Sequence, residues 1–325
     1  MTEAAESGPG RVVGFFDIGS NAVRMMCARV AGDGGVEPLL FDRVQARLGD
    51  GGFSTHELQP AAIVRTAEAC GYLVRQAREA GAVEFVAVAT AAVREAGNAA
   101  ALLDLLRVEC DLDVRVLSGA DEAALAHRAV RRRVDAGDDT LLTIDIGGGS
   151  TEVALGRGDE VLVCASLPLG ALRLTATAFA PGFEGVVDDA RYGLLRAEVK
   201  QSLRGVATAV RQHGVGIAAG TGGTIRSLSR AAAMVLPTNR RRSDDVLWRP
   251  ELLALTDMLR SLTLEDRRRL PGLEPERADV IIAGAAILET LLEGFAVDEL
   301  RVPDVYLLRD GLLVDYVEAE RRRRA

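Results

Sequence analysis

LLTIDIGGGSTE, residues 141–152, repeats in outline a stretch that lies far upstream, VVGFFDIGSN at 12–21. Both run an apolar segment into Asp-Ile-Gly and then into small polar residues. The apolar segment reads as a buried strand, and the small residues after it read as a turn whose backbone can be approached closely. A second apolar segment comes after each: VRMMCARV after the first, TEVALGRGDEVLVCASLPL after the second. Two strand-turn-strand modules in one chain argue for an internal duplication.

The remaining segments fit around these modules. GDGG at 32–35 is a turn, and 60–80, PAAIVRTAEACGYLVRQAREA, has a helical apolar face that Gly81 is placed to end. VEFVAVAT (83–90) and LDVRVLS (112–118) read as strands, with AGNAAALLDLLRVEC and GADEAALAHRAVRRRV as the helices after them. In the second half, a hairpin turning at Gly156 to Gly158 is followed by a largely helical 187–213. VGIAAGTGGTIRSLSRAA then gives strand, glycine turn and helix, and ADVIIAGAAILETLLEGF is a long apolar helix. Alternating strands and helices predict an α/β fold with some parallel pairing. The acidic, glycine-containing VDAGDDT sets the expected domain boundary, 1–133 and 134–325, with the C-terminal helix packing back on the first domain.

Composition bounds the function. A chain of 325 residues, 48% hydrophobic and 26% charged, is globular and long enough for two cores. No apolar run is long enough to span a bilayer, and MTEAAESGPGRVV has neither the basic start nor the apolar middle of a secretion signal, so the cytoplasm is expected, with no membrane partner. Cys27, Cys70, Cys110 and Cys164 are scattered singly and read as small buried residues. A net charge of -8 argues against nucleic acid as a partner, although arginine clusters at 131–133, 240–242 and 267–269 could form a local basic track. For any one cluster a solvated face is the simpler reading.

The turns carry the chemistry. Glycines at a strand end let consecutive amides point at one anion with no side chain between. Gly147, Gly148 and Gly149, with the hydroxyls of Ser150 and Thr151, fit a phosphate cradle, and Gly19, Ser20 and Asn21 occupy the same place in the first module. A third cradle is AAGTGGTIRS, where Gly222, Gly223 and Thr224 open a helix whose dipole favours an anion. Asp17 and Asp145 each end a buried strand. A lone Asp there accepts hydrogen bonds from its own turn, but its recurrence favours a pair of carboxylates holding Mg²⁺, with Glu152 as a further ligand or a group that positions water. No Walker lysine follows any glycine loop, and His56, His127 and His213 are too dispersed for a metal cluster.

DIGSN (17–21), ATAAVREA (89–96), VLSGADEA (116–123), DIGGGSTE (145–152) and AGTGGTI (219–225), in this order, resemble the motifs of the exopolyphosphatase and guanosine pentaphosphate phosphatase family. The likeness continues through ERADVIIAGAAILE and YLLRDGLL, nearly the whole chain. It implies a duplicated actin-like (ribonuclease H-like) fold, two α/β domains with phosphate loops facing a cleft. It implies Glu122 as the base on the attacking water, where the residues alone suggest only helix-start acids at Asp121 and Glu122, worth roughly 0.3–1 kcal/mol. It implies Arg94 as a phosphate contact and Asp145 and Glu152 as metal or water-positioning carboxylates.

The resemblance has departures. Asp121-Glu122-Ala123-Ala124 stands where many members have Glu-Glu-Ala-Arg, which weakens the expected hold on a long chain, and Asp310 stands where Glu is usual. Longer members append an all-helical metal-binding domain, and this chain is expected to behave like the short two-domain members. The expected reaction is Mg²⁺-dependent release of orthophosphate from the end of inorganic polyphosphate. Guanosine pentaphosphate, a nucleotide of the stringent response, is the alternative substrate. A polyphosphate-dependent phosphotransferase and a non-catalytic polyphosphate or alarmone sensor are the other classes. A homodimer is expected from the likeness alone.

Overall fold

Arg11–Ile18 (β1) is buried from Val13 onward and becomes the centre of a sheet, because strands pair along both its edges. A computed structural model of the chain describes residues 10–236, 245–305 and 307–324. Val23–Val30 (β2) lies antiparallel to β1, and Val36–Val44 (β3) antiparallel to β2. Helix Pro60–Glu79 (α1) starts with proline, whose missing N–H costs nothing in the first turn, and Gly81 follows its end at a φ of 92°. The chain then returns as Glu84–Ala89 (β4), parallel to β1. Ala91–Arg94 (α2), Ala99–Cys110 (α3) and Val114–Val116 (β5), parallel to β4, complete the sheet in the order β3-β2-β1-β4-β5. Phe16, Met25, Leu73, Leu102 and Leu106 fill the core between sheet and helices.

The second unit opens with Gly119–Arg131 (α4) and then repeats the arrangement. Thr140–Ile146 (β6), Thr151–Arg157 (β7) and Glu160–Leu167 (β8) form an antiparallel meander. Ala171–Ala178 (α5) and Asp189–His213 (α6) lead to Ile217–Thr221 (β9), parallel to β6. Gly222–Val235 (α7), Val246–Trp248 (β10), Arg249–Ser261 (α8), Leu264–Arg268 (α9), Ile281–Phe295 (α10), Glu299–Arg301 (β11) and Leu307–Arg324 (α11) come next. The sheet order is β10-β11-β9-β6-β7-β8. Strands β8-β7-β6-β9-β11 therefore match β3-β2-β1-β4-β5 position for position, which is the duplication written as topology. Helix α10, apolar nearly throughout, is buried on all sides as the core helix of this unit.

Contacts divide the chain into two compact units, one running to Leu117 and resuming at Leu308, the other Ser118–Leu307. The division precedes the 133/134 boundary read from sequence, because α4 packs on β7 and β8. Tyr316 of α11 stacks edge-on against Phe15, and its hydroxyl donates to Glu84 at 2.8 Å. Among the described residues no helix is long and apolar enough to cross a membrane.

Four details differ from the sequence reading. Strand β3 has no apolar alternation and carries Pro38, which an edge strand tolerates. Gly156 lies inside β7, and the hairpin turns at Gly158, whose φ is 53°. Cys164 is exposed, unlike the other three cysteines. Arg267 is buried and donates to the carbonyls of Leu262, Ala278 and Gly185, so it is no part of a surface track. Arg240 to Arg242 lie outside the described residues.

Candidate active site

Register builds the site in the second unit. Asp145 on β6 is opposite Thr221 on β9 and opposite Glu152 on β7, and Glu152 is opposite Ser166 on β8. Directly opposed residues share a face, so the four side chains form one row across the strand ends. Ser166 Oγ donates to Glu152 Oε1 at 2.8 Å, and the Ser150 hydroxyl bonds the same carboxylate. Helix α4 starts directly over this row: a Cβ on Gly119 would fall 2.5 Å from Ser166 Cβ. Ser118 caps the helix, its Oγ accepting from the Asp121 amide at 3.1 Å and donating to Asp121 Oδ2 at 2.7 Å. Asp121 is thus spent on the cap. Glu122 is 5% exposed and turned inward beside Glu152.

Three acids in a buried corner define its electrostatics. Glu152 is 2% exposed, and its pKa is held well above the usual carboxylate range, first by burial and then by the charges of Glu122 and Asp145, with Ser166 and Ser150 opposing. Asp145 lies against the start of α7, where a Cβ on Gly222 would fall 2.2 Å from Asp145 Oδ1. Gly222 also has a φ of 85°, so glycine is required there twice over. The row offers only oxygens, from carboxylates and hydroxyls, a donor set that fits a hard divalent cation. Among the described residues no three His, Cys, Asp or Glu side chains converge as a full ligand cage.

The glycine turn adjoins these acids. Gly147 N–H is used within the turn, donating to Ser150 O at 2.9 Å, while the amides of Gly148 and Gly149 meet no protein acceptor among the described residues. The third cradle is more crowded than its sequence suggests. A Cβ on Gly223 would fall 1.9 Å from the Arg277 guanidinium, and the Thr224 methyl packs against Gly284 of α10. His127 is not part of the acidic row. It is buried, bonds Thr143 Oγ1 through Nδ1 at 2.9 Å, and fills the space that Gly156 leaves open.

The other predicted residues belong to the first unit. Asp17 is opposite Arg24 in the β1–β2 pair, and its Oδ2 accepts from the guanidinium at 3.0 Å. Gly19 N–H donates to Ala22 O, and Ser20 and Asn21 are buried in the same turn. Arg94, on α2, donates to Leu117 O at 3.0 Å. Sequence reasoning missed Ser166, Gly170, Arg173 and Arg277. The readable signal for two of them was LPLGALR at 167–173, a glycine between a buried leucine and a helix start.

Known proteins share the sequence and fold of this chain over most of its length. The chain is 30% identical over 313 residues to exopolyphosphatase 1 of Mycobacterium leprae (strain TN), covering 95% of this chain and 90% of that protein. A crystal structure of the Aquifex aeolicus Ppx/GppA family member superposes with a TM-score of 0.76 at 30% identity, covering 96% of this chain and 99% of that one. An exopolyphosphatase structure from Cytophaga hutchinsonii, at 24% identity, shares the fold with a TM-score of 0.85 over 95% of this chain and 98% of the other. The two mixed sheets are those of the actin-like α/β class. The model of the Ppx/GppA phosphatase family matches residues 28–320, and the chain belongs to that family.

Proposed function

We propose that this protein is an exopolyphosphatase that hydrolyses the terminal phosphoanhydride bond of inorganic polyphosphate with Mg²⁺. The observation that carries the reading is the cluster of buried Glu122 and Glu152 with half-buried Asp145, beside a glycine turn with available amides. Relatives named exopolyphosphatase support the substrate.

Each residue has a task in this reading. The amides of Gly148 and Gly149, the Ser150 amide and the start of α7 at Gly222 and Gly223 bind the oxygens of the terminal phosphoryl group. In the first unit, Gly19, Ser20, Asn21 and Arg94 are the proposed phosphate contacts. Glu122 accepts a proton from water as the water oxygen bonds to phosphorus, the bridging P–O bond breaks, and the shortened chain leaves. Glu152, fixed by Ser166 and Ser150, orients that water. Asp145 and Glu152 would hold Mg²⁺, which when bound offsets the negative charge of the acids and of the substrate. Asp17, already paired with Arg24, needs the ion less. Positioning and charge stabilisation supply most of the rate, and the general base about 10²–10⁴-fold.

The test is orthophosphate release from short polyphosphate, long polyphosphate, guanosine pentaphosphate and ATP, with and without chelator, beside Glu122→Gln. Release from polyphosphate that is lost in Glu122→Gln, with tripolyphosphate binding retained, is the expected result. Release from guanosine pentaphosphate alone would transfer the assignment to that nucleotide, and unchanged turnover in Glu122→Gln would remove the base.

A further inference from the structure

An amide-lined turn binds an anion only if its carbonyls are turned away, since each carbonyl oxygen near a phosphate repels it. In the Gly147–Gly149 turn all three carbonyls are occupied by one short segment. Gly147 O accepts from the Ala171 amide at 3.0 Å, and Gly148 O from the amides of Leu172 and Arg173, each at 3.0 Å. Gly149 O accepts from Arg173 Nε at 2.7 Å. The segment reaches the turn because residue 170 has no side chain: a Cβ there would fall 2.2 Å from Gly148 O and 2.4 Å from Gly149 N. Its φ is −132°, open to any residue, so the requirement is one of space.

The first unit also holds carbonyls of its turn from the same topological place. Gly49 N–H donates to Ser20 O at 2.8 Å and Arg47 N–H to Asn21 O at 2.9 Å. Both supports come after the third strand of a meander, β3 or β8, and in both a buried leucine, Leu48 or Leu169, precedes the glycine, Gly49 or Gly170. They differ in their donors: Gly49 itself and Arg47, two residues before it, supply the amides in the first unit, and the three residues after Gly170 supply them in the second. The Arg47 guanidinium is turned to Asp50, at 2.9 Å, whereas Arg173 places its Nε on the turn itself.

We propose that Arg173 is a positioning residue for phosphate binding: with Gly170 it holds the carbonyls of Gly147–Gly149 away from the ligand and so aims the amides of this turn at the terminal phosphoryl group. The inference rests on the phosphate reading of the turn given above. Arg173 acts through backbone orientation and not as a countercharge. A guanidinium that can donate to Gly149 O should therefore restore function wherever it comes from.

The experiment uses the full chain carrying Glu122→Gln, so that tripolyphosphate binding with Mg²⁺ is measured by calorimetry without turnover. Adding Arg173→Ala should weaken binding on the order of tenfold, about 1.4 kcal/mol. Ethylguanidinium at millimolar concentration should recover part of it, with the thermal midpoint little changed. Gly170→Ala should weaken binding at least as much, although it removes no donor. In the catalytically intact chain, Arg173→Ala should raise KM with kcat held within about threefold, the split expected when ground-state and transition-state binding are lost equally. Binding by Arg173→Ala within twofold of its parent would overturn the inference and leave the exopolyphosphatase reading intact. So would a loss that ethylguanidinium does not relieve. A folded parent that binds no tripolyphosphate would instead remove the phosphate reading, and this inference with it.

Discussion

Gly222→Ala tests the contact that orders the acidic corner. The substitution acts in two ways. At a φ of 85°, an L side chain incurs roughly 1–2 kcal/mol of left-handed strain. The new Cβ would also fall 2.2 Å from Asp145 Oδ1 and 3.1 Å from Ile146 O, so the carboxylate must retreat by about 1 Å to reach ordinary contact. A displacement of that size in a reacting constellation costs about 10²-fold in rate. The expected outcome is a stability loss of about 1–2 kcal/mol with orthophosphate release down about a hundredfold. Trp248 is the one tryptophan of the chain and lies on β10 in the same unit as Gly222, so its fluorescence in a urea titration reports the unit that carries the change. A variant that unfolds at the parental urea concentration and keeps activity within threefold would refute the account of Asp145 pressed against α7.

Two further perturbations have outcomes fixed by burial. His127 has its pKa pushed down to about 4 from 6.5, by burial first and then by Arg131 and Arg128. The unfolded chain therefore binds a proton that the folded chain refuses, and the contribution is present above pH 6.5 and lost as pH falls towards 4. The difference is worth roughly 3 kcal/mol, and His127→Gln should flatten the acid limb of a stability-against-pH curve in that window. An unchanged slope would show that the ring is not held neutral. Arg267→Met should destabilise by about 3 kcal/mol, since it leaves one buried and two partly buried carbonyls without their donor, while Arg268→Met, on the exposed side of the same short helix, should fall within about 0.5 kcal/mol of the parent in the same urea titration.

Local chemistry made the strand ends legible. A turn of glycines and hydroxyls after an apolar run is a statement about a few adjacent residues, and Asp145, Gly147 and Gly222 all announce themselves that way. The support beneath the turn is written elsewhere in the chain. Ser166 meets Glu152 only through the β7–β8 register, and Arg173 meets Gly149 only because α5 returns to the turn. Glu122 is intermediate: its helix start is readable from Ser118 and Asp121, but its approach to Glu152 depends on Gly119 lying on Ser166. The edge strand β3 was illegible for a different reason, since its exposed residues and Pro38 carry no period of two. Arg267 misled because three consecutive arginines look alike in sequence, and helix phase alone buries the first.

The duplication also shows how one fold produces two different corners. Residues 19–22 and 147–150 are turns of equal length, so the same offset sets the register in both modules: residue 24 is opposite Asp17, and residue 152 is opposite Asp145. In the first unit that residue is arginine, and the pair carries no net charge. In the second it is glutamate, and α4 adds Glu122 to the same place. Carboxylates crowded together in a poorly solvated site shift their pKa or draw a cation, because holding like charges there costs several kcal/mol. The first unit avoids that cost with Arg24 from its own sheet. The second gathers acids instead, and this is the ground for the proposal that a divalent cation and the proton of an attacking water go to Asp145, Glu152 and Glu122. In the proposed reading, this change of sign in the repeat and the Glu122 that α4 adds together separate a turn that holds phosphate from one that also activates water against it.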